Sequence, residues 1–121
     1  MPLNDFFEYT IELSDPGKIK ALLNIDREHD IYKGHFPGNP VTPGVIQLEM
    51  VRQILSECLQ KDLMLTEAKD LKFLSPILPP NLNDIEITID YSIEQGTYST
   101  RCIISRNDQL FTKIRGTFSE K

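Results

Sequence analysis

The residues best suited to chemistry lie in a single stretch of the sequence, from residue 34 to residue 53. His35 stands among prolines and glycines, and Glu49 follows in an apolar-rich segment. Histidine is the side chain whose ordinary pKa suits proton abstraction near neutral pH. A carboxyl group can protonate a leaving hydroxyl if burial raises its pKa by about two units. This stretch therefore contains a candidate base and a candidate acid.

A third chemical group comes from the backbone at the start of a predicted helix. Residues 34–44 carry three prolines and three glycines, which predicts an ordered loop because proline has no backbone donor. A helix is predicted from Pro43 to Gln60, with Thr42 as its N-cap and Pro43 at the first helical position. Amides in a first helical turn have no partner within the helix. The N–H of Gly44 could therefore bind a carbonyl oxygen.

A base, an acid and an oxyanion donor are the parts needed to eliminate water from a β-hydroxyacyl thioester. The base would remove the proton next to the carbonyl, and the donor would stabilise the enolate oxygen that develops. Each residue also has an ordinary explanation, since a loop histidine is more often structural. Glu49 shares a helical face with Arg52, Gln53, Ser56 and Gln60, which has the composition of a solvated stripe. From these residues alone the segment is only a candidate site, and His29 is expected to be a surface residue.

The rest of the chain predicts an α+β domain in which one antiparallel sheet wraps one long helix. Residues 19–25 form a short apolar element, for which a strand is favoured and a helix stays open. The alternation of apolar and polar residues is clearest from Ile85 to Asp90. Strands are further predicted at Phe6 to Leu13, from Leu71 to Leu74, at Tyr98 to Ser105 and at Leu110 to Ser119, with turns at Gln95-Gly96 and Asn107-Asp108.

Composition sets the broad class of the protein. The chain has 121 residues, of which 40% are apolar, enough for one core, and we expect a single domain over residues 1–121. A formal net charge of -5 gives no general attraction to nucleic acid or to anionic membranes. The N-terminus has no signal-peptide pattern and no apolar run is long enough to span a membrane, so a cytoplasmic location is expected. Cys58 and Cys102 are expected to be buried thiols, although one disulfide stays open.

The segment from His35 to Gln53 resembles the signature of the hotdog-fold β-hydroxyacyl-acyl carrier protein dehydratases. The match covers His-Phe-Pro-Gly-x-Pro-Val-x-Pro-Gly-Val, then the helix with its acidic residue and a glutamine one turn later. It has no gap between His35 and Glu49. A weaker resemblance continues through residues 72–76 and the later strands.

The resemblance implies a role for each matching residue. His35 would act on the substrate α-carbon, held by the main-chain carbonyl of Val41. The amide of Gly44 would bind the thioester carbonyl, and Phe36 would also contact the substrate. Glu49 would handle the leaving hydroxyl, oriented by Gln53. The product of a (3R)-hydroxyacyl thioester would then be a trans-2-enoyl thioester.

The resemblance also implies an assembly and a partner. Two protomers would form a homodimer with one continuous double sheet, so that each site takes its histidine from one chain and its acid from the other. Further assembly into a hexamer of three dimers stays open. The substrate would arrive on an acyl carrier protein, in fatty acid or related lipid and polyene biosynthesis, and no metal or cofactor would take part. A basic patch for the acidic carrier could come from seven residues: Arg52, Lys69, Lys72, Arg101, Arg106, Lys113 and Arg115.

Some features depart from the main branch of that family and leave the substrate open. The chain is short at its N-terminus, Arg52 replaces a small residue and Gln47 replaces an apolar one. A helix with the order glutamine, leucine and acid looks more like shorter relatives from lipid-like and polyene pigment pathways. Two other functions stay open, a hotdog thioesterase that uses an acid to activate water and a non-catalytic acyl-binding subunit.

Overall fold

Six strands and one helix make up the part of the chain that the computed structural model describes, residues 6–26, 28–29, 42–78 and 82–121. The elements in chain order are β1 (Phe7–Asp15), β2 (Lys18–Ile25), α1 (Gly44–Leu59), β3 (Leu63–Phe73), β4 (Ile85–Glu94), β5 (Thr97–Arg106) and β6 (Gln109–Glu120).

The strands form one sheet in the order β1-β2-β4-β5-β6-β3, and every neighbouring pair is antiparallel. Two hairpins fall at the predicted turns, where Gln95, Gly96 and Asn107 have φ values of 51°, 79° and 54°. Positive φ at a two-residue turn matches the right-handed twist of the flanking strands. β1 and β2 form a third hairpin, in whose turn Gly17 has a φ of 88°. The connection from β2 to β4 carries the helix and then β3, which lies at one edge of the sheet.

The helix packs its apolar face against the inner face of the sheet. Met50, Val51, Ile54 and Leu55 have no exposed surface. They join a core to which β2, β4, β5 and β6 contribute Ile19, Leu23, Ile87, Ile89, Ile104, Phe111 and Phe118. Burying a side chain of this size contributes about 1.5–3 kcal/mol relative to leaving it in water. The predicted architecture, one sheet wrapped around one helix, is therefore confirmed.

The helix starts one residue later than predicted, and its first turn is organised differently. Pro43, expected at the first helical position, is the N-cap, with ψ at 150°. The expected N-cap, Thr42, lies outside the helix, and its hydroxyl donates to the carbonyl of Ile77 at 3.4 Å. No side chain caps the helix start. The helix ends at Leu59, and Gln60 takes the left-handed conformation with a φ of 55°.

The largest error of the sequence-based prediction concerns β3, which begins at Leu63 and not near Leu71. Most of its side chains are exposed, so it lacks the alternation that marks a half-buried strand. Its pairing with β6 is also irregular at two places, between Leu65 and Glu67 and between Ala68 and Asp70. The element at residues 19–25 is confirmed as a strand, which settles the helix alternative. The predicted strands at residues 6–13, 85–90, 98–105 and 110–119 are present within one to four residues of their expected limits.

Two further observations concern the described residues as a whole. Among them, no helix is both long and apolar enough to cross a membrane. Nor do they contain three or more histidine, cysteine, aspartate or glutamate side chains grouped as metal ligands.

Candidate active site

Gly44 opens the helix beside a groove of about 420 Å³, which is lined by Thr42, Pro43, Gly44, Gln47, Phe73, Ser75 and Pro76. The amides of Gly44 and Val45, at the first two helical positions, have no acceptor within the helix, and no side chain caps them. The positive end of the helix dipole therefore faces this groove. A carbonyl oxygen is a group that such a site can bind.

The ring of Phe73, at the end of β3, lies against the Cα of Gly44. A Cβ placed on Gly44 would meet the Cζ of Phe73 at 2.7 Å. In the protomer, the space that a side chain would use is occupied by an aromatic ring whose residue is 49% exposed.

Gln47 holds the helix start in place, a role that the sequence analysis did not assign. Its amide nitrogen donates to the carbonyl of Thr42 at 3.2 Å, and its oxygen accepts from the hydroxyl of Thr112 on β6. Gln47 is only 3% exposed, so both bonds lie in the core. A glutamine among the apolar positions of the helix was the available signal, since a buried amide needs partners.

Glu49 lies on the next turn and is bound by Arg52. The arginine Nη2 donates to Oε1 of Glu49 at 2.7 Å, and its Nε lies 3.0 Å from each carboxylate oxygen. The two side chains are 19% and 22% exposed, respectively. The face expected to be a solvated stripe is thus partly covered within a single protomer.

Two opposing effects set the pKa of Glu49. Burial of the carboxyl raises it, whereas hydrogen bonds from Arg52, the arginine charge and a hydrogen bond from Gln53 lower it. The lowering effects prevail, so the pKa of Glu49 lies below its ordinary value. Burial in the protomer does not supply the raised pKa that a general acid needs near neutral pH.

Gln53 lies one turn after Glu49 and borders a second groove, between the helix and β1. The groove has about 540 Å³ and is lined by Phe7, Glu8, Tyr9, Ile11, Gln53, Glu57 and Cys58. At its far end the hydroxyl of Tyr9 donates to Glu57. Burial and then the Glu57 carboxylate raise the pKa of the Tyr9 phenol, which keeps it protonated. The helix face that carries Gln53 and Glu57 thus borders a partly apolar groove, and the hydrogen-bonded pair of Tyr9 and Glu57 forms its polar end.

Three predicted site residues, His35, Phe36 and Val41, lie outside the described residues. Their approach to Glu49 stays a prediction, and so does the ordered loop predicted over residues 34–44 for the part that precedes Thr42. The structure brings the amide of Gly44 and the side chains of Glu49 and Gln53 onto the first three turns of one helix.

The other sequence-based expectations concern His29 and the cysteines. His29 is partly buried, and its ring meets Phe6 edge-on with centroids 5.2 Å apart. Both cysteines are free thiols, of which Cys102 is buried and Cys58 half-buried. Burial raises the pKa of each thiol, so neither is an activated nucleophile.

Comparison with known proteins gives a consistent result. Residues 12–114 match the family model of the ApeI-like dehydratases. A 3-hydroxyacyl-acyl-carrier-protein dehydratase FabZ from Wolbachia sp. subsp. Drosophila simulans is 32% identical over 103 residues, covering 78% of this chain and 71% of that protein.

Solved structures show the same fold. The dehydratase heterocomplex ApeI:P from Xenorhabdus doucetiae matches with a TM-score of 0.74 and 22% identity, covering 92% of this chain and 95% of that one. A hypothetical thioesterase protein from Streptococcus pneumoniae matches with a TM-score of 0.67 and 13% identity, covering 94% and 86%. These matches confirm the predicted hotdog fold.

Proposed function

The chain belongs to the ApeI-like dehydratase family, and on that premise we propose that it removes water from (3R)-3-hydroxyacyl thioesters bound to an acyl carrier protein. Membership makes the chain a hotdog-fold dehydratase, a hydro-lyase. The carrier-bound substrate and the trans-2-enoyl product form the proposal. The observation that carries it is the half-buried Glu49, one turn beyond a helix start whose amides lack acceptors within the helix.

Each proposed role follows from a group with suitable chemistry. The amide of Gly44 binds the thioester oxygen and stabilises the charge that develops there when the α-proton leaves; one such donor is worth about 100–1,000-fold in rate. His35, held by the carbonyl of Val41, takes that proton, and Phe36 borders the substrate. Glu49 faces the β-hydroxyl that leaves.

Gln53 has the weakest direct support among the proposed site residues, and its role is orientation. It lies one turn after Glu49, whose pKa it lowers, and it borders the groove beside β1. An amide that contacts the carboxylate can restrict its rotamers without changing the charge of the site.

We propose a homodimer joined along β3. This strand spans 11 residues and pairs on one side only, with β6, in the described part of the chain. A long free edge is a template for a further strand. Met64, Leu71 and Phe73 on this strand and Leu74 just after it are large apolar residues with 36–53% exposure. A second copy of β3 would satisfy the free backbone groups and cover these side chains.

The carrier protein is acidic, and the sheet offers a basic site for it. Lys72, Arg101, Lys113 and Arg115 line one groove of about 360 Å³ on the outer face of the sheet, which we call the basic face. They are four of the seven cations considered from sequence. Of the other three, Arg52 is bound to Glu49, Arg106 donates to the carbonyl of Asn83 at 2.9 Å, and Lys69 lies outside this groove.

The basic face places like charges side by side. Arg101 is the cross-strand partner of Arg115, and Lys72 is the partner of Lys113. Like charges in such positions are destabilising. Asp70 and Asp90 also line the groove, as the cross-strand partners of Arg115 and Arg101, and Asp70 lies 3.6 Å from the Nζ of Lys72. No described carboxylate comes within 4.0 Å of Arg101, Lys113 or Arg115. An acidic partner would relieve this repulsion.

The position of the basic face also suits delivery of a substrate. Lys72 directly precedes Phe73, whose ring lies on Gly44. A carrier bound there would lie near the helix start, where the thioester must arrive.

The direct test is incubation of the purified protein with a series of 3-hydroxyacyl carrier proteins of different chain lengths. Mass spectrometry of the carrier should show loss of one water for wild type, and His35→Ala and Glu49→Gln should reduce turnover by about 100-fold or more. Equal null results for wild type and His35→Ala across the series would refute the proposal.

The same assay separates the alternatives. Release of free carrier thiol by wild type, kept in His35→Ala and lost in Glu49→Gln, would indicate a thioesterase. Acyl chains that copurify without any turnover would indicate a binding subunit.

A further inference from the structure

Arg52 makes contacts that join the candidate acid to the rest of the fold. Its Nε and Nη2 hold the carboxylate of Glu49, while its Nη1 donates to the carbonyl of Leu63 at 3.1 Å. Leu63 is the first residue of β3. One guanidinium group therefore connects the side chain of Glu49 to the backbone of another element.

The attachment to β3 is itself fixed by a second bond. The amide of Leu63 donates to the hydroxyl of Ser56 at 3.2 Å, and Ser56 lies one turn after Arg52 on the helix. Both backbone groups of Leu63 are thus bound by helix side chains. An exposed ion pair on a helix usually contributes little to the free energy of folding. Here the guanidinium binds a partly buried carboxylate through two nitrogens and the carbonyl of Leu63 through the third, so both side chains are restricted in conformation.

We propose that Arg52 is a positioning residue for the reaction: it holds the Glu49 carboxylate in one orientation and keeps it ionised. This inference rests on the proposed function, because it concerns what Glu49 does to the substrate hydroxyl. In this role Glu49 accepts a hydrogen bond from the hydroxyl and does not give it a proton.

In this mechanism a single group, the imidazole of His35, both takes up and returns the proton of the elimination. The α C–H bond breaks and its proton passes to the imidazole of His35, while the electron pair forms the double bond. As the β C–O bond breaks, the imidazolium returns that proton to the departing oxygen, which leaves as water. His35 ends neutral, and Glu49 is a carboxylate throughout.

A second carboxylate, Asp62, lies near Arg52 but does not depend on it alone. Asp62 lies 3.8 Å from Nη1 of Arg52 and 3.7 Å from the Nζ of Lys121, so two cations pair with it. Gln53 also lowers the pKa of Glu49, but it adds no charge. Arg52 is thus the principal group that lowers the pKa of Glu49, against the opposing effect of burial.

The charge state can be measured without any substrate. Protein labelled with ¹³C at the glutamate carboxyl is titrated by NMR, and Glu49→Gln identifies the resonance by its loss. In wild type Glu49 should titrate below its ordinary value. In Arg52→Gln its pKa should rise, because burial remains and the cation is gone. Arg52→Lys should keep part of the lowering, and Arg106→Gln, a surface arginine elsewhere, should change nothing.

Turnover gives the second measurement. Arg52→Gln should lose about 100-fold in kcat relative to wild type, because Glu49 is no longer held in one orientation. The loss should be larger at low pH, where Glu49 becomes protonated, and smaller as the pH rises. A purely structural role would reduce kcat evenly across the pH range. Circular dichroism shows whether each variant is folded. If Arg52→Gln does not fold, the same measurements are made on Arg52→Lys.

Two results would overturn the inference: an unchanged Glu49 titration in Arg52→Gln, or a wild-type Glu49 that titrates above its ordinary value. The latter would identify Glu49 as a general acid. If wild type turns over no hydroxyacyl substrate, the proposed function fails, while the NMR titration still decides whether Arg52 controls Glu49.

Discussion

The ring of Phe73 lies where a side chain on Gly44 would have to go, with its Cζ 2.7 Å from the position of a Cβ. The contact joins the end of the edge strand to the start of the helix. Both residues border the groove next to the amides without intrahelical acceptors, so this contact shapes the proposed thioester site.

A double-mutant cycle should reveal this contact. In a Phe73→Ala background, Gly44→Ala should stabilise the fold by up to about 1 kcal/mol, because alanine is the better helix former. With Phe73 present the same change should be neutral or destabilising, since the ring must move. Urea unfolding at one fixed protein concentration measures both. Equal effects in the two backgrounds would show that ring and glycine are not coupled.

The buried bonds of Gln47 should matter for stability. Gln47→Leu removes the partner of the Thr112 hydroxyl and one partner of the Thr42 carbonyl, and should cost about 1–3 kcal/mol. Adding Thr112→Val should recover part of this loss, because the hydroxyl is then gone as well. Thermal unfolding provides the measurement, and Thr117→Val, on the same strand, is the control. A double variant less stable than Gln47→Leu would contradict this account.

If each active site is formed by two chains, two inactive variants should complement each other when they are mixed. A mixed dimer consists of one His35→Ala chain and one Glu49→Gln chain. If the histidine and the glutamate of a site come from different chains, this dimer should contain one site with both wild-type residues. Random mixing of equal amounts should then restore about a quarter of wild-type turnover.

The complementation experiment carries its own control. Wild type mixed with an equal amount of the His35→Ala, Glu49→Gln double variant contains mixed dimers without a complete site, so it should lose about half of the turnover that the same wild-type protein has before mixing. Absence of recovery in the first mixture, with dimers verified by native mass spectrometry, would place both residues of a site on one chain.

Reversing charge on the basic face should weaken carrier-bound substrates selectively. Arg101→Glu and Arg115→Glu should raise KM for the acyl carrier substrate, with a smaller difference at high salt, because surface charges are screened. The KM for a matching coenzyme A thioester should change less. Arg106→Glu is a control of equal charge change outside the groove. A KM increase of the same size in that control would remove the basic face as the docking site.

Local pattern was sufficient for much of the fold. The alternation at residues 85–90 and the turns at Gln95-Gly96 and Asn107-Asp108 predicted three strands, because half-buried strands and tight turns leave local signals. The apolar face of the helix predicted its burial for the same reason. β3 was missed over most of its length because an exposed edge strand has no alternating pattern to detect.

The candidate site divides in a similar way. Gly44 and Glu49 were candidates from residue type and their position on one helix, and the role of Gln53 came from the resemblance to the dehydratase signature. Both kinds of signal are properties of the chain itself. The residues that contact this helix from other elements lie far from it in the sequence. Phe73 is 29 residues from Gly44, and Thr112 is 65 residues from Gln47, to which it is hydrogen-bonded. The sequence contains these residues but does not state that they touch.

Arg52 shows most clearly what the tertiary structure adds. The sequence placed it near Glu49 on the helix, where a weak exposed pair was one ordinary outcome. Only folding brings the carbonyl of Leu63 to the same guanidinium and partly removes water from both side chains. The pKa of a carboxyl depends on burial and on neighbouring charges together. Residue identity therefore suggested where the chemistry lies, and three-dimensional packing decided the direction in which the pKa of Glu49 departs from its ordinary value.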